Sequence, residues 1–412
     1  MKTEPGSAAE QAGPRTRMLV IATLGFAVTF WAWALISPLA PSLATKLGLS
    51  SFQQSLIVAV PVIVGSLGRI PIGALTDRFG GRLMLPIVSV ATIVPVLFLA
   101  FFGDQSLATL LIGGFFLGIG GTSFAVGVPF VSAWFPPERR GLAIGIFGVG
   151  MVGTAISAFT TVRLVELGSS ATPFLVTAAA LAVYAVVAWL LLRDAPGQVR
   201  PTTSMAKRVG ETLKLGVTWQ AAALYATLFG GYVAFSVYLP SLLKAEYDLS
   251  IADASNRMAG FVILAVIMRP VGGFLSDKIG PVPVLATCLG AVVFGALIDA
   301  TSPALFPIAT IAYLVMAAGL GAGSGATFAL VALLSPAGKV GSVTGVVGAA
   351  GGLGGFVPPL LMGVVYGATG SYTIGFLLLA LVAAAVLVFT LTSIRSVLAK
   401  RDAVEVQRKV TA

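Results

Sequence analysis

Two arginines stand inside apolar stretches of this 412-residue chain. Arg69 lies eight residues before Asp77 in RIPIGALTDRFG, and Arg269 lies eight residues before Asp277 in RPVGGFLSDKIG. A guanidinium group keeps its proton in proteins, and its planar fork of N–H donors matches a flat oxyanion. The chemistry that this pair predicts is therefore the binding of a small, preferably planar anion.

The depth of each arginine follows from its distance to the acid. Eight helical residues span roughly 12 Å at 1.5 Å per residue, so an acid at the membrane surface puts the arginine well inside the hydrocarbon. Such a charge costs about 2.5–3.5 kcal/mol on insertion scales, and no Asp or Glu is predicted at the same depth. At the level of sequence one alternative stays open, in which both side chains extend back to the lipid headgroups.

The composition indicates that lipid surrounds most of the chain. It is 57% hydrophobic and 10% charged, whereas soluble domains carry about 25% charged residues. Twelve continuous apolar stretches, from Met18–Leu39 to Tyr372–Ile394, are each long enough to cross a bilayer, which takes roughly 20 residues. Continuous runs favour helices over barrel strands, which alternate polar and apolar residues. We therefore predict an all-α polytopic membrane protein with twelve transmembrane helices.

The net charge of +10 follows this topology. With the N-terminus in the cytoplasm, nineteen of the 25 Lys and Arg residues fall on the cytoplasmic side, and four fall on the other: Lys46, Arg163, Lys244 and Arg257. That bias predicts that both termini are cytoplasmic. The basic charge then indicates contact with anionic headgroups of the bilayer and not with nucleic acid.

The chain divides at a polar, basic segment that contains Pro196 and Pro201. The two sides of this segment share the Arg–Asp spacing at an offset of 200 residues, and GTSF (Gly121–Phe124) matches GATF (Gly325–Phe328) at a similar offset. Duplicated halves around a midplane site are the architecture of secondary transporters. The predicted parts are a cytoplasmic tail over 1–17, a six-helix bundle over 18–192, a cytoplasmic linker over 193–216, a second pseudo-symmetric bundle over 217–394 and a cytoplasmic tail over 395–412.

GALTDRFGGR, from Gly73 to Arg82, fits the loop signature of the major facilitator superfamily. Within that superfamily the chain resembles nitrate/nitrite porters, through GAAGGLGGFVPPLLMG and FAVGVPFVSAWFPPERRGLAIGIFGVGMVGTAIS. The resemblance implies the major facilitator fold and no enzymatic activity or cofactor. It also implies that nitrate or nitrite crosses the cytoplasmic membrane by alternating access, and we expect a monomer. The implied substrate-binding residues are Arg69, Arg269, Phe124, Tyr225 and Phe229, with Met151 beside them.

Two departures weaken the inferred choice of substrate, because Met151 and Ser324 stand where these porters carry asparagine. The resemblance also implies gating roles for the loop motif and for glycines in the fifth and eleventh apolar stretches. Glycine faces allow helices to pack closely, and we expect them also to let the helices slide past each other during transport. For the aromatic residues, simple packing against neighbours remains the alternative. The implied gating residues are Asp77, Arg78, Arg82, Asp277, Gly148, Gly150, Gly351, Gly352, Gly354 and Gly355.

The energy source is predicted from what the sequence lacks. It contains no histidine, one cysteine and no phosphate-binding GxxxxGK[ST] loop, so ATP hydrolysis is excluded. The acids, Asp299 among them, are predicted at loops or helix ends, which favours exchange of one anion for another over proton coupling. Open alternatives are a proton-coupled nitrate symporter, an exporter of another organic anion or drug, and an anion sensor that does not transport.

Overall fold

The computed structural model describes residues 12–196, 205–336 and 340–397. Twelve of its helices are long and apolar enough to cross a membrane, which confirms the predicted all-α fold. In chain order these spans 1 to 12 are Gly13–Leu47, Ser51–Phe79, Gly81–Phe102, Leu107–Trp134, Ala143–Leu167, Thr172–Leu191, Gly216–Tyr247, Ile251–Ile279, Pro281–Asp299, Leu305–Leu334, Ser342–Thr369 and Thr373–Val397.

Some residues of the segments predicted as tail or linker are helical. The first helix begins at Ala12 and therefore takes up the last residues of the predicted tail. The predicted linker contains a short helix, Met205–Leu213, which we call the linker helix. Residues 1–11, 197–204 and 398–412 of the predicted tails and linker lie outside the described residues. The topological sides assigned to these segments stay predictions.

Several spans change helical geometry at the depth of the arginines. Span 2 consists of Ser51–Leu67 and Arg69–Phe79, separated at Gly68. Spans 4 and 5 contain 3₁₀ turns, at Gly118–Thr122 and Val149–Val152. Glycine lowers the cost of such turns, which redirect backbone carbonyl groups out of the regular helical ladder. The glycine-rich sequence thus opens backbone acceptors in the middle of the bundle.

Other glycines bring helix backbones together. A Cβ at Gly354 of span 11 would collide with the backbone of Ala226 in span 7, and one at Gly325 of span 10 would collide with the backbone carbonyl of Arg269 in span 8. Lipid supplies no hydrophobic force between helices, so close backbone packing of this kind holds the bundle together.

The two halves, spans 1–6 and 7–12, meet most closely at one end, which we call the far end. It carries the loop between spans 1 and 2 and is the predicted extracellular end. There the Ser37 hydroxyl donates to the Val237 carbonyl at 2.6 Å, and Arg163 Nη1 donates to Asn256 Oδ1 at 3.0 Å. Both bonds join one half to the other and close the far end.

The opposite end, the linker end, is more open. Gly148 in span 5 and Gly348 in span 11 are buried near the arginines, whereas Gly145 and Gly345, about one turn nearer the linker end, are less buried. A Cβ at Gly145 or Gly345 would meet nothing within 4 Å. As far as the described residues show, the structure is therefore closed at the far end and less closely packed toward the linker end.

Candidate anion-binding site

Arg69 begins the second helical segment of span 2 and is 8% exposed. Its Nη1 donates to the Gly348 carbonyl at 2.8 Å, and its Nε donates to the Gly121 carbonyl at 3.3 Å. Gly348 belongs to the other half of the molecule, and Gly121 belongs to the 3₁₀ turn of span 4. The guanidinium thus points into the bundle, away from the headgroups.

Arg269 in span 8 is 9% exposed and also points inward. Its Nη2 donates to the Tyr225 hydroxyl at 2.7 Å, and its Nη1 contacts Met151 Sδ at 2.7 Å. Met151 lies in the 3₁₀ turn of span 5, in the first half. Each arginine therefore reaches a residue of the half that does not carry it.

Phe229 connects the two guanidiniums. Its ring centroid lies 6.0 Å from Cζ of Arg69 and 5.5 Å from Cζ of Arg269. The two Cζ atoms are consequently at most 11.5 Å apart, the sum of those two distances. The alternative in which both side chains extend to lipid headgroups is wrong, because the arginines converge on one ring in the core.

Aromatic rings from both halves of the molecule lie beside the arginine pair. Tyr225 and Phe229 stack with centroids 4.6 Å apart and planes 1° apart. Phe124, from the first half, lies with its ring centroid 5.2 Å from Cζ of Arg69. Such flat apolar faces suit a flat, weakly hydrated anion. With Met151 beside Arg269, the structure brings together all six residues that the sequence predicted for substrate binding.

One aromatic residue of this site was missed. The Phe328 centroid lies 5.8 Å from Cζ of Arg269 and 4.7 Å from the Tyr225 centroid. It ends GATF, the repeat of GTSF that ends with Phe124. That repeat was the signal that could have identified Phe328 as the counterpart of Phe124 in the second half.

In the part of the chain that the structure describes, the hydrogen-bond partners of both guanidiniums are neutral: two carbonyl oxygens, a phenol and a thioether. Neutral acceptors satisfy the N–H donors and leave both positive charges uncompensated. In a low-dielectric interior this favours an anion strongly, because the cost of the buried charges falls when a negative group joins them.

A sequence profile described as the Major Facilitator Superfamily matches residues 22–256 and 221–410. The probable nitrate/nitrite transporter NarK2 of Mycobacterium tuberculosis (strain ATCC 25618 / H37Rv) is 48% identical over 92% of this chain and 96% of its own length. The chain belongs to the nitrate/nitrite porter family of the Major Facilitator Superfamily. The nitrite extrusion protein of Bacillus subtilis (strain 168) is 36% identical over 89% of this chain and 91% of that protein.

Solved structures agree on the fold of this facilitator. The crystal structure of a bacterial homolog to the human lysosomal transporter Spinster, inward-facing and occupied, has a TM-score of 0.73 at 19% identity and covers 92% of this chain and 97% of that chain. That of a D-xylose-proton symporter has a TM-score of 0.72 at 16% identity, with the same two shares covered. The major facilitator fold predicted from the sequence is confirmed.

The predicted gating glycines of the facilitator pack around the site. A Cβ at Gly148 would lie 3.8 Å from Arg269 Nε. The others adjoin bulkier groups: Gly150 faces Phe26, Gly351 faces Tyr225, Gly352 faces Ser66, Gly354 faces Ala226 and Gly355 faces Val233. These contacts explain why side chains are absent there; the sliding motion stays a prediction.

The loop-motif residues lie apart from the arginine pair, at the linker end. Asp77 is half-buried, whereas Arg78, Arg82 and Asp277 are exposed. The backbone N–H of Arg82 donates to Asp194 Oδ1 at 3.1 Å. Asp194 follows span 6 and carries no pattern that would single it out in the sequence, and the gating role of the motif itself stays a prediction.

Proposed function

We propose that this facilitator transports nitrate and nitrite across the cytoplasmic membrane by alternating access. One observation carries the proposal: two buried guanidiniums, one from each half, share an aromatic site, and their hydrogen-bond partners among the described residues are neutral. The names of the relatives, a probable nitrate/nitrite transporter and a nitrite extrusion protein, support the same cargo. As a membrane carrier it needs no catalytic group.

Electrostatics explains how such a site binds its guest. Two like charges ~8 Å apart repel by ~2 kcal/mol at an effective dielectric of ~20. An anion at ~4 Å from both gains ~4 kcal/mol from each on the same basis. The guanidinium donors that now contact Gly348 and Tyr225 would turn to the oxygens of the anion, while the rings of Phe124 and Phe229 cover its faces.

The same balance favours exchange over uniport. An empty site leaves the two arginines repelling each other, which opposes the occluded arrangement through which the carrier must return. A second anion removes that barrier. The carrier therefore returns loaded, and nitrate entering on one side is matched by nitrite leaving on the other.

Counterflow in proteoliposomes tests the proposal. Labelled nitrate is supplied outside vesicles that contain nitrite, nitrate, chloride or no permeant anion. We expect uptake to rise severalfold with internal nitrite or nitrate only. Uptake driven by an imposed pH gradient without a counter-anion would identify a proton symporter instead, and binding without uptake would identify a sensor. Inhibition by large organic anions in preference to nitrite would favour an exporter of another class.

A further inference from the structure

A carboxyl group at the far end is buried without a partner. Asp299 is the last residue of the helix Pro281–Asp299, and this residue is 3% exposed. Both carboxyl oxygens are fully buried and make no hydrogen bond. Of the Asp, Glu, Lys and Arg residues that the structure describes, Arg69, Arg269 and Asp299 are buried. The transport site accounts for the arginines but not for the acid.

Physical chemistry opposes a negative charge in that position. An isolated carboxylate that leaves water without a compensating partner costs many kcal/mol, and such groups take up a proton instead. The C-terminal end of a helix carries partial negative charge from its free carbonyls, which disfavours an anion further. Asp299 occupies both environments, and both favour the neutral acid in this closed conformation.

The groups that face Asp299 from neighbouring helices do not supply a positive charge that would stabilise an ionised carboxylate. Tyr247 of span 7 and Tyr313 of span 10 lie within electrostatic range of it and of each other, and Glu246 lies near both tyrosines. In span 8, Arg257 forms an ion pair with Asp253, with 3.3 Å between Nε and Oδ2. The helix Thr373–Phe389 of span 12 contains no ionisable residue. No cation among the described residues therefore pairs with the carboxyl.

Tyrosines connect this position to the interface between the halves. Five of the eight tyrosines in the chain lie at the far end of the second half: Tyr238, Tyr247, Tyr313, Tyr366 and Tyr372. Tyr313 lies within electrostatic range of Tyr372, whose hydroxyl is 3.3 Å from that of Tyr238. Tyr238 in turn lies within interaction range of Ser55 of the first half. We call these five residues the tyrosine cluster.

We propose that Asp299 is a proton-binding site whose occupancy stabilises the closed far end. Opening this end separates Tyr238 from Ser55 and admits water to the tyrosine cluster, where a hydrated carboxylate is stable. Closing it expels that water, and the carboxyl must then take a proton from the far side. Proton binding and closure favour each other by linkage, so the closed-to-open ratio falls by up to about tenfold per pH unit while the acid ionises.

Accessibility of one engineered thiol measures this ratio. Ser37→Cys, in a Cys288→Ala background, places the thiol in the far-end interface, where it reacts with maleimide only when that end opens. Labelling rates of the full-length protein in detergent are compared, between about pH 6 and pH 9, with those of the same protein carrying Asp299→Asn. Dividing one rate by the other at each pH removes the ionisation of the thiol itself.

We expect the labelling rate of the protein that keeps Asp299, divided by the labelling rate of the protein with Asp299→Asn, to rise with pH. The rise should reach up to about tenfold per pH unit over part of this range. The matched control is Asp248→Asn, which changes an exposed acid at the same end and should give a constant ratio. No substrate is present, so the outcome is independent of the proposed transport of nitrate and nitrite. A ratio that stays constant for Asp299→Asn would overturn the proposal.

Infrared spectroscopy keeps the proposal testable if Asp299→Asn fails to fold. The carboxylic-acid stretch of a protonated buried acid is separate from the amide bands and is absent from carboxylates. We expect the otherwise unsubstituted protein to lose such a band as the pH rises and Asp299→Leu to lack it throughout. No acid band at neutral pH in the unsubstituted protein would contradict a protonated Asp299.

Discussion

Arg69 and Arg269 each satisfy their donors on atoms that a transport cycle must separate. Arg69 donates to Gly348, and Arg269 contacts Met151, and both contacts cross from one half to the other. An anion between the guanidiniums can replace these contacts on both sides at once. Binding of the guest and movement of the halves are thus coupled at the level of individual hydrogen bonds.

Arg69→Lys and Arg269→Lys test that coupling. An ammonium group keeps the charge but cannot form the planar fork, so each variant loses at least one charge-assisted hydrogen bond in the loaded state. At about 1.5–3 kcal/mol per bond, we expect nitrate uptake at low concentration to fall roughly 10- to 100-fold in proteoliposomes. Arg257→Lys, at an exposed position, is the control, and near-normal uptake by both test variants would remove the arginine pair from the binding site.

Met151 offers a prediction about selectivity. A thioether accepts hydrogen bonds weakly and donates none, so the contact with Arg269 Nη1 contributes little to holding a guest. Met151→Asn adds an amide donor for one more oxygen, and nitrate has three oxygens where nitrite has two. We expect the preference for nitrate over nitrite in competition uptake to rise about fivefold, from one hydrogen bond worth about 1 kcal/mol. An unchanged preference would place Met151 outside the contact surface, and a reversed preference would contradict the extra hydrogen bond to nitrate.

The site residues that could be predicted have signals in the sequence that do not depend on the fold. Arg69 and Arg269 stand out because charged residues are rare in apolar sequence. Phe124, Tyr225 and Phe229 were identified by their positions in family motifs. Asp299 gave no such signal, because an acid at a helix end is ordinary. Only the packing of neighbouring helices determines whether that end meets water, and packing is a tertiary property.

At the level of helices, the twelve spans were predictable and their interruptions were not. Apolar length alone identifies a span. A break such as that at Gly68, or the 3₁₀ turn Gly118–Thr122, depends on which carbonyls a neighbour can satisfy. Glycine permits such breaks at many of its 49 positions in this chain, so the sequence does not indicate which ones occur.

Span 11 allows the packing role of glycine to be tested within one helix. A Cβ at Gly354 would meet the backbone of Ala226, which cannot move aside as a side chain can, whereas a Cβ at Gly345 would meet nothing within 4 Å. We expect Gly354→Ala to lower the unfolding temperature in detergent and to abolish most uptake, since overpacking costs about 1–3 kcal/mol. Gly345→Ala should leave stability equal or higher because alanine favours helix. Equal effects of both substitutions would contradict the packing argument.

For the whole molecule, the duplication predicted two halves and a central site, but not which end is closed. Alternating access requires one sequence to support two arrangements that differ by a few kcal/mol. Sequence patterns specify what the two arrangements share, such as spans and buried faces. The closed far end is visible only in contacts between the halves, such as that from Ser37 to Val237.

A reversible cross-link at the far end tests whether this closed arrangement must open during transport. The Cβ of Ser51 in span 2 lies 3.7 Å from a Cβ built on Gly367 in span 11, within the range of about 3.5–4.5 Å for disulfides. In a Cys288→Ala background, oxidation of the double variant Ser51→Cys, Gly367→Cys should therefore close the far end covalently. We expect nitrate uptake to fall by about tenfold or more, as loop-closing disulfides are stable by several kcal/mol, and to recover with reductant. Each single variant should be insensitive to oxidant, and transport that continues in the cross-linked protein would show that the halves need not separate at this end.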